Sequence, residues 1–163
     1  MIINKQFKII KKLGSGRSQI FLAENLGNLN SLIALKILPP EADNEEILAF
    51  VDEYSILKNL TDKNIVKCYD FGNIVHVEDI GSKIPIKSNS LFFTMDFIDG
   101  INIFEYCLNK SESEIIFILS RLCKTLFYLH QSNYIYSDLK AENILISGNE
   151  NPGLFLIDFG LCC

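Results

Sequence analysis

The chain has 163 residues, 48% of them hydrophobic and 21% charged, with a formal net charge of −5. A chain of about 150 residues buries roughly 70% of its unfolded surface, enough for a substantial core. The apolar fraction excludes a disordered chain, and nine glycines with four prolines exclude a collagen-like or low-complexity one. The mild acidic excess speaks against a nonspecific nucleic-acid binder, although a phosphate-bearing ligand stays open because a pocket can be positive on an acidic protein.

Five cysteines, Cys68, Cys107, Cys123, Cys162 and Cys163, form no CxxC pair and no zinc spacing. An odd number without a regular framework reads as reduced thiols. The opening stretch MIINKQFKIIKK lacks an apolar signal core, and no apolar run approaches the ~18 residues of a membrane helix. The expectation is a soluble cytoplasmic protein with neither membrane nor nucleic-acid partner.

Phe7, Ile9, Lys11 and Leu13 share one face of a predicted strand, and Gly14-Ser15-Gly16 forms a turn after it. Ile20–Ala23 and Leu32–Leu38 are two further strands, with a polar turn at Asn25–Asn30 between them and Pro39-Pro40 stopping the second. From Glu45 to Leu60 the period changes, and Ile47, Phe50, Tyr54 and Leu57 recur at helical spacing. Ile65–Phe71 and Ser90–Met95 read as strands flanking a polar surface excursion over residues 74–89 that contains Gly81 and Pro85. Ser111 with Glu114 makes a capping box that opens a long helix to about His130. Asn143–Ile146 and Leu154–Ile157 are short strands divided by a turn over Gly148–Gly153. Strands and one helix first, then mainly helix, predict an α+β fold in two lobes: residues 1–98 and residues 99–163.

Three features carry potential chemistry. Glycines 14 and 16 let backbone N–H groups approach phosphate oxygens, although a plain hairpin turn has the same composition. Lys36 lies within the apolar run Ile33–Leu38, where strand alternation sets it on one face with Ala34; buried there, an ammonium requires an anionic partner. Glu53, on the apolar stripe of the following helix, is a candidate for it. Asp138, Lys140 and Asn143 then crowd between a helix and a strand, followed by Asp158-Phe159-Gly160. A carboxylate can orient a hydroxyl and take its proton, a lysine can offset phosphoryl charge, and amide and carboxylate oxygens suit Mg²⁺. His130 reads as a cap or core residue, and His76 shows no partner.

In this order the motifs resemble a eukaryotic-type Ser/Thr protein kinase over about Phe7 to Gly160. The resemblance implies a bilobal kinase-like fold with a complete small lobe, an antiparallel sheet plus one helix, and an incomplete helical large lobe ending just after Asp158-Phe159-Gly160. It implies ATP and Mg²⁺ as cofactors and a protein Ser/Thr hydroxyl as substrate, in a cleft that both lobes face. Lys36 would hold the α- and β-phosphates and pair with Glu53; Asp138 would be the catalytic base, Lys140 would meet the γ-phosphate, and Asn143 and Asp158 would hold Mg²⁺. The nucleotide-binding set implied is Leu13, Gly14, Ser15, Gly16, Ser18, Ile20, Ala34, Lys36, Glu53, Met95, Asp96, Ile98 and Leu145. Within it Met95 is the gatekeeper, Asp96–Ile98 the hinge, and Ile20, Ala34 and Leu145 the adenine walls. The sequence departs from the family pattern at Ser18 in place of a third glycine, at Tyr136-Ser137-Asp138 in place of H-R-D, and at Ala141 in place of proline. The second reading is a non-catalytic, pseudokinase-like module that binds ATP or docks a partner. Under either reading a missing C-terminal kinase lobe or further domains are expected partners.

Overall fold

The computed structural model describes residues 1–78, 86–148 and 152–163. Gly81 and Pro85, and residues 149–151 of the expected turn, lie outside the described residues. The chain divides into two compact units: Met1–Tyr54 with Cys68–Phe97, and Ser55–Lys67 with Ile98–Cys163.

The first unit is built on a seven-stranded antiparallel sheet of β1 (Ile2–Ile3), β2 (Phe7–Ser15), β3 (Gln19–Asn25), β4 (Ser31–Leu38), β5 (Cys68–Asn73), β6 (Val77–Glu78) and β7 (Leu91–Asp96). Their spatial order is β5-β7-β4-β3-β2-β1-β6. The β4 run Ile33–Leu38 is buried on both faces, which is why it reads as continuous apolar sequence rather than alternation. Ile33, Leu35 and Ile37 join Phe7, Phe21 and Phe92 in a core on one side. Ala34 and Lys36 point to the other, where Phe50 and Tyr54 of helix α1 (Asn44–Asn59) pack on Phe93. Helix α1 opens with a capping box of its own: the Asp43 carboxylate accepts from the Glu46 N–H at 2.9 Å, and the Glu46 carboxylate accepts from the Asp43 N–H at 3.2 Å.

Strand β1 was not legible in the sequence, because two residues carry no period. It closes the sheet by pairing with both β2 and β6. The expected excursion over 74–89 therefore holds a short strand, and Ile74 within it is fully buried. The strand expected at Ile65–Phe71 begins later, at Cys68, while Ile65 makes an isolated parallel bridge to Leu156.

The second unit carries β8 (Ile101–Asn102), the short helix α2 (Ile103–Cys107), the 20-residue helix α3 (Glu112–Gln131), a 3₁₀ turn (Ala141–Asn143), β9 (Ile144–Ser147) and β10 (Gly153–Leu156). These three strands form a sheet in the order β10-β9-β8. The predicted capping box of α3 is present: Ser111 and Glu114 satisfy each other's backbone N–H groups. The Ser111 N–H and hydroxyl, with Lys110, draw the Glu114 carboxyl down to about 2. Gly100 is required by close approach, since a Cβ there would sit 2.5 Å from the Ile146 carbonyl oxygen. The α+β expectation is borne out, with a strand-rich first unit and a second unit of helices and a small sheet.

Among the described residues no helix is long and apolar enough to cross a membrane. All five cysteines are free thiols.

One local strain is testable. Leu29 and Asn30, at the tip of the β3–β4 hairpin, both have positive φ (46° and 55°), and Leu29 is 99% exposed. Left-handed backbone costs a leucine about 1–2 kcal/mol, whereas asparagine adopts it readily. Leu29→Asn is expected to raise stability by about 0.5–1 kcal/mol in denaturant unfolding; an unchanged or lowered midpoint contradicts the strain.

Candidate functional site

In the first unit, Lys36 is 5% exposed and Glu53 4% exposed. The Lys36 ammonium donates to both carboxylate oxygens of Glu53, at 2.6 and 2.7 Å, and lies 5.9 Å from the Phe93 ring centroid. Strand register explains the placement. Lys36 pairs with Ile20 on β3 and Phe93 on β7, so its side chain leaves the sheet on the α1 side.

Ala34 and Met95 are direct cross-strand partners, both 6% exposed, and Met95 is also opposite Cys68. Asp96 closes β7, its carboxylate accepting from the Tyr69 hydroxyl at 2.5 Å. Burial first, and then this bond, push the Tyr69 phenol up to about 12. The glycine turn is a hairpin in which Gly14 faces Ile20 and Ser15 faces Gln19, with Gly16 N–H donating to the Ser18 carbonyl at 2.9 Å. A Cβ on Gly16 would meet nothing within 4 Å, so the turn presents open backbone. Leu13, just before it, is 41% exposed. Ile98 falls in the second unit.

The second unit holds the other group. Asp138 Oδ2 accepts from the Lys140 ammonium at 2.6 Å and from the Asn143 amide at 2.9 Å. The Asn143 amide also donates to the Asp138 backbone carbonyl at 3.0 Å, and the Asn143 carbonyl accepts from the Ile157 N–H at 3.0 Å. One buried asparagine thus ties the Asp138 loop to the segment that presents Asp158. The Lys140 hydrogen bond, followed by that of Asn143, lowers the Asp138 pKa; the reciprocal bond raises that of Lys140, with Asp158 and Glu142 adding to it. Asp138 is accordingly held ionised, as an acceptor. Leu145, on β9, is half-buried between Phe155 and Asn102.

Asp158 has left-handed backbone, φ 62°, a conformation aspartate tolerates better than most residues. The residues around it are fixed. Phe159 is 1% exposed and packs edge-on against Tyr136, ring centroids 5.0 Å apart. The Tyr136 hydroxyl donates to the Ile157 carbonyl at 2.5 Å. Tyr136 pairs with Cys162, and Ile135 exchanges two backbone hydrogen bonds with Cys163. Burial, then the charges of Asp158 and Asp138, raise the Tyr136 phenol far above its ordinary value, so it stays a donor. In the sequence Tyr136 stands out only as a departure from a motif, because the bracing bond reaches a carbonyl 21 residues away. His76, expected to lack a partner, lies 3.1 Å from Glu78, and His130 is exposed rather than buried.

Comparison with known proteins decides the family. The protein kinase domain family matches residues 7–163. The chain belongs to the protein kinase family. It is 28% identical over 162 residues to the maternal embryonic leucine zipper kinase of Xenopus tropicalis, covering 97% of this chain and 22% of that protein. The corresponding kinase of Danio rerio is 29% identical, with the same coverage. The serine/threonine-protein kinase CLA4 of Candida albicans is 28% identical over 171 residues, covering 99% of this chain and 16% of that protein. This kinase chain therefore spans about a fifth of the length of the relatives it matches.

Removing Glu53 takes the two-oxygen carboxylate contact away from the buried Lys36 ammonium. Glu53→Ala is expected to cost about 3–5 kcal/mol, whereas the double replacement Lys36→Met with Glu53→Leu costs far less, since an apolar pair of similar volume is often neutral. Chemical unfolding of the two variants checks this, and equal losses in the single and the double variant contradict it.

Proposed function

We propose that this kinase chain is the MgATP-binding part of a protein serine/threonine kinase, which transfers the γ-phosphoryl group of ATP to a protein Ser or Thr hydroxyl. The observation that carries this reading is the Asp138 network. An ionised carboxylate with a lysine 2.6 Å away and an asparagine amide at 2.9 Å is the equipment a hydroxyl acceptor needs beside a transferred phosphoryl. Asp138 orients the substrate hydroxyl and takes its proton. Lys140, two residues on, offsets charge on the γ-phosphoryl, and its presence favours a Ser/Thr kinase.

Lys36, fixed as a cation by Glu53, binds the α- and β-phosphates. The open backbone of Gly14–Gly16 approaches the phosphates. Leu13, Ser15, Ser18, Ile20, Ala34, Met95, Asp96, Ile98 and Leu145 complete the nucleotide-binding set. Asn143 and Asp158 fit Mg²⁺ as hard oxygen donors: the Asn143 amide nitrogen is taken up by Asp138, which leaves its side-chain oxygen as the donor atom. When bound, the ion supplies charge neutralisation of the phosphates. Tyr136 keeps the Asp158 segment in place.

MgATP is expected to raise the melting temperature of the parent chain. Lys36→Ala weakens binding by about tenfold or more, ~1.4 kcal/mol, and Asp158→Ala abolishes it. Unchanged MgATP affinity in both variants removes these residues from the site.

Catalysis is tested separately, on the longest natural polypeptide that carries these residues. Asp138→Ala is expected to lose about 10²–10⁴-fold in phosphoryl transfer to a protein substrate. Full turnover in that variant takes the base role from Asp138, and nucleotide binding without transfer in the parent supports the non-catalytic, partner-docking reading.

A further inference from the structure

Strand β5 leaves the regular ladder at one point. Its register with β7 sets Cys68 opposite Met95 and then Phe71 opposite Phe93, so Tyr69 and Asp70 together face the single residue Thr94. A bulge of this kind takes residues out of the ladder and re-aims them. Here their polar groups go to side chains. The Asp70 N–H donates to the Thr94 hydroxyl oxygen at 2.9 Å. The Tyr69 carbonyl accepts from the Tyr54 hydroxyl of α1 at 3.2 Å, and the Tyr69 hydroxyl donates to the Asp96 carboxylate at 2.5 Å.

Those two bonds make Tyr69 a link between two parts of the nucleotide site, all inside the first unit. At one end stands Tyr54, next in sequence to the Glu53 that holds the Lys36 ammonium. At the other stands Asp96, the last residue of β7 and the first of the hinge Asp96–Ile98. A tyrosine 45% exposed on an edge strand could leave its hydroxyl to solvent. This one is directed at a carboxylate, a charge-assisted bond of the stronger class. Burial and that bond push its phenol up to about 12, so it remains a donor through the neutral range. The Tyr54 end is fixed as well, its ring packed on Phe71 and Phe93 with centroids 4.9 and 5.9 Å away.

We propose, resting on the MgATP reading above, that Tyr69 is a positioning residue for the nucleotide base: it ties the Asp96 end of β7 to α1, so that the backbone after Met95 meets adenine already ordered. A backbone segment that has less freedom to lose on binding gives up less affinity. Tyr69 lies outside the nucleotide-binding set and acts only through Asp96.

Tyr69→Phe keeps the ring and removes the hydroxyl. In calorimetric titrations of the chain it is expected to weaken MgATP by about five- to tenfold, and adenosine, which carries the base and no phosphate, by the same factor. Lys36→Ala instead weakens MgATP and leaves adenosine within about twofold of the parent. Asp96→Asn, which keeps an acceptor for the Tyr69 hydroxyl, retains the parental affinities, whereas Asp96→Ala repeats the Tyr69→Phe loss. The double variant Tyr69→Phe with Asp96→Ala loses no more than either single one, because both remove the same bond. Parental affinities in Tyr69→Phe, a loss for MgATP that adenosine does not share, or additive losses in the double variant each overturn the proposal and leave the MgATP reading standing. A parent that binds neither ligand overturns both. If Tyr69→Phe loses its far-UV circular dichroism, the contrast of Asp96→Ala with Asp96→Asn decides the question, and equal affinities in those two variants overturn the proposal.

Discussion

A buried ion pair sets the frame for the first unit. A lysine only 5% exposed is tolerable where a carboxylate meets its ammonium, and Lys36 and Glu53 meet at 2.6 Å. That requirement couples two elements: β4 must present Lys36 toward α1, and α1 must present Glu53 on its apolar side. Phe50, Tyr54 and Phe93 pack around the contact. Buried pairs of this kind contribute little net stability over an apolar replacement. Their consequence here is positional: a cation held at one point beside the sheet, with its register fixed by Ile20 and Phe93.

The second unit solves a related problem with hydrogen bonds. Asn143 is buried and bonded through its backbone and its amide nitrogen, which ties the Asp138 loop to the Ile157–Asp158 segment. Tyr136 adds a second brace, a hydroxyl on the Ile157 carbonyl and a ring on Phe159. The left-handed backbone of Asp158 costs conformational energy, and such strain persists where surrounding contacts over-determine it. Two braces immediately beside Asp158 meet that condition. Membership of the protein kinase family gives the arrangement its context, and the ionised Asp138 beside Lys140 gives it a chemical use.

Much of this was legible in the sequence for identifiable reasons. Lys36 and Glu53 stood out as charges misplaced on apolar faces, and the structure joins them. The Ser111 and Glu114 pair announced the start of α3 because a capping box is a local signal. What stayed hidden was short or nonlocal. Strand β1 has two residues and exists only through its pairing with β2 and β6. The Asp43 and Glu46 box lies ahead of the apolar period of α1, which first shows at Ile47. The bracing by Tyr136 depends on a carbonyl 21 residues away, which no local pattern encodes. On α3, Ile116, Leu119 and Phe127 are as apolar as the buried Ile118, Leu122 and Leu129, so periodicity alone could not tell which side is buried.

The central claim is that Lys36 and Lys140, rather than the other lysines of this chain, meet nucleotide phosphates. Treatment with an acyl-phosphate derivative of ATP, followed by mass spectrometry of the peptides, reads that directly, because the reagent acylates only amines lying beside the bound phosphates. Acylation confined to Lys36 or Lys140 and suppressed by excess MgATP is the expected result. Acylation spread over surface lysines such as Lys8, Lys11 and Lys12, and indifferent to MgATP, would contradict the account.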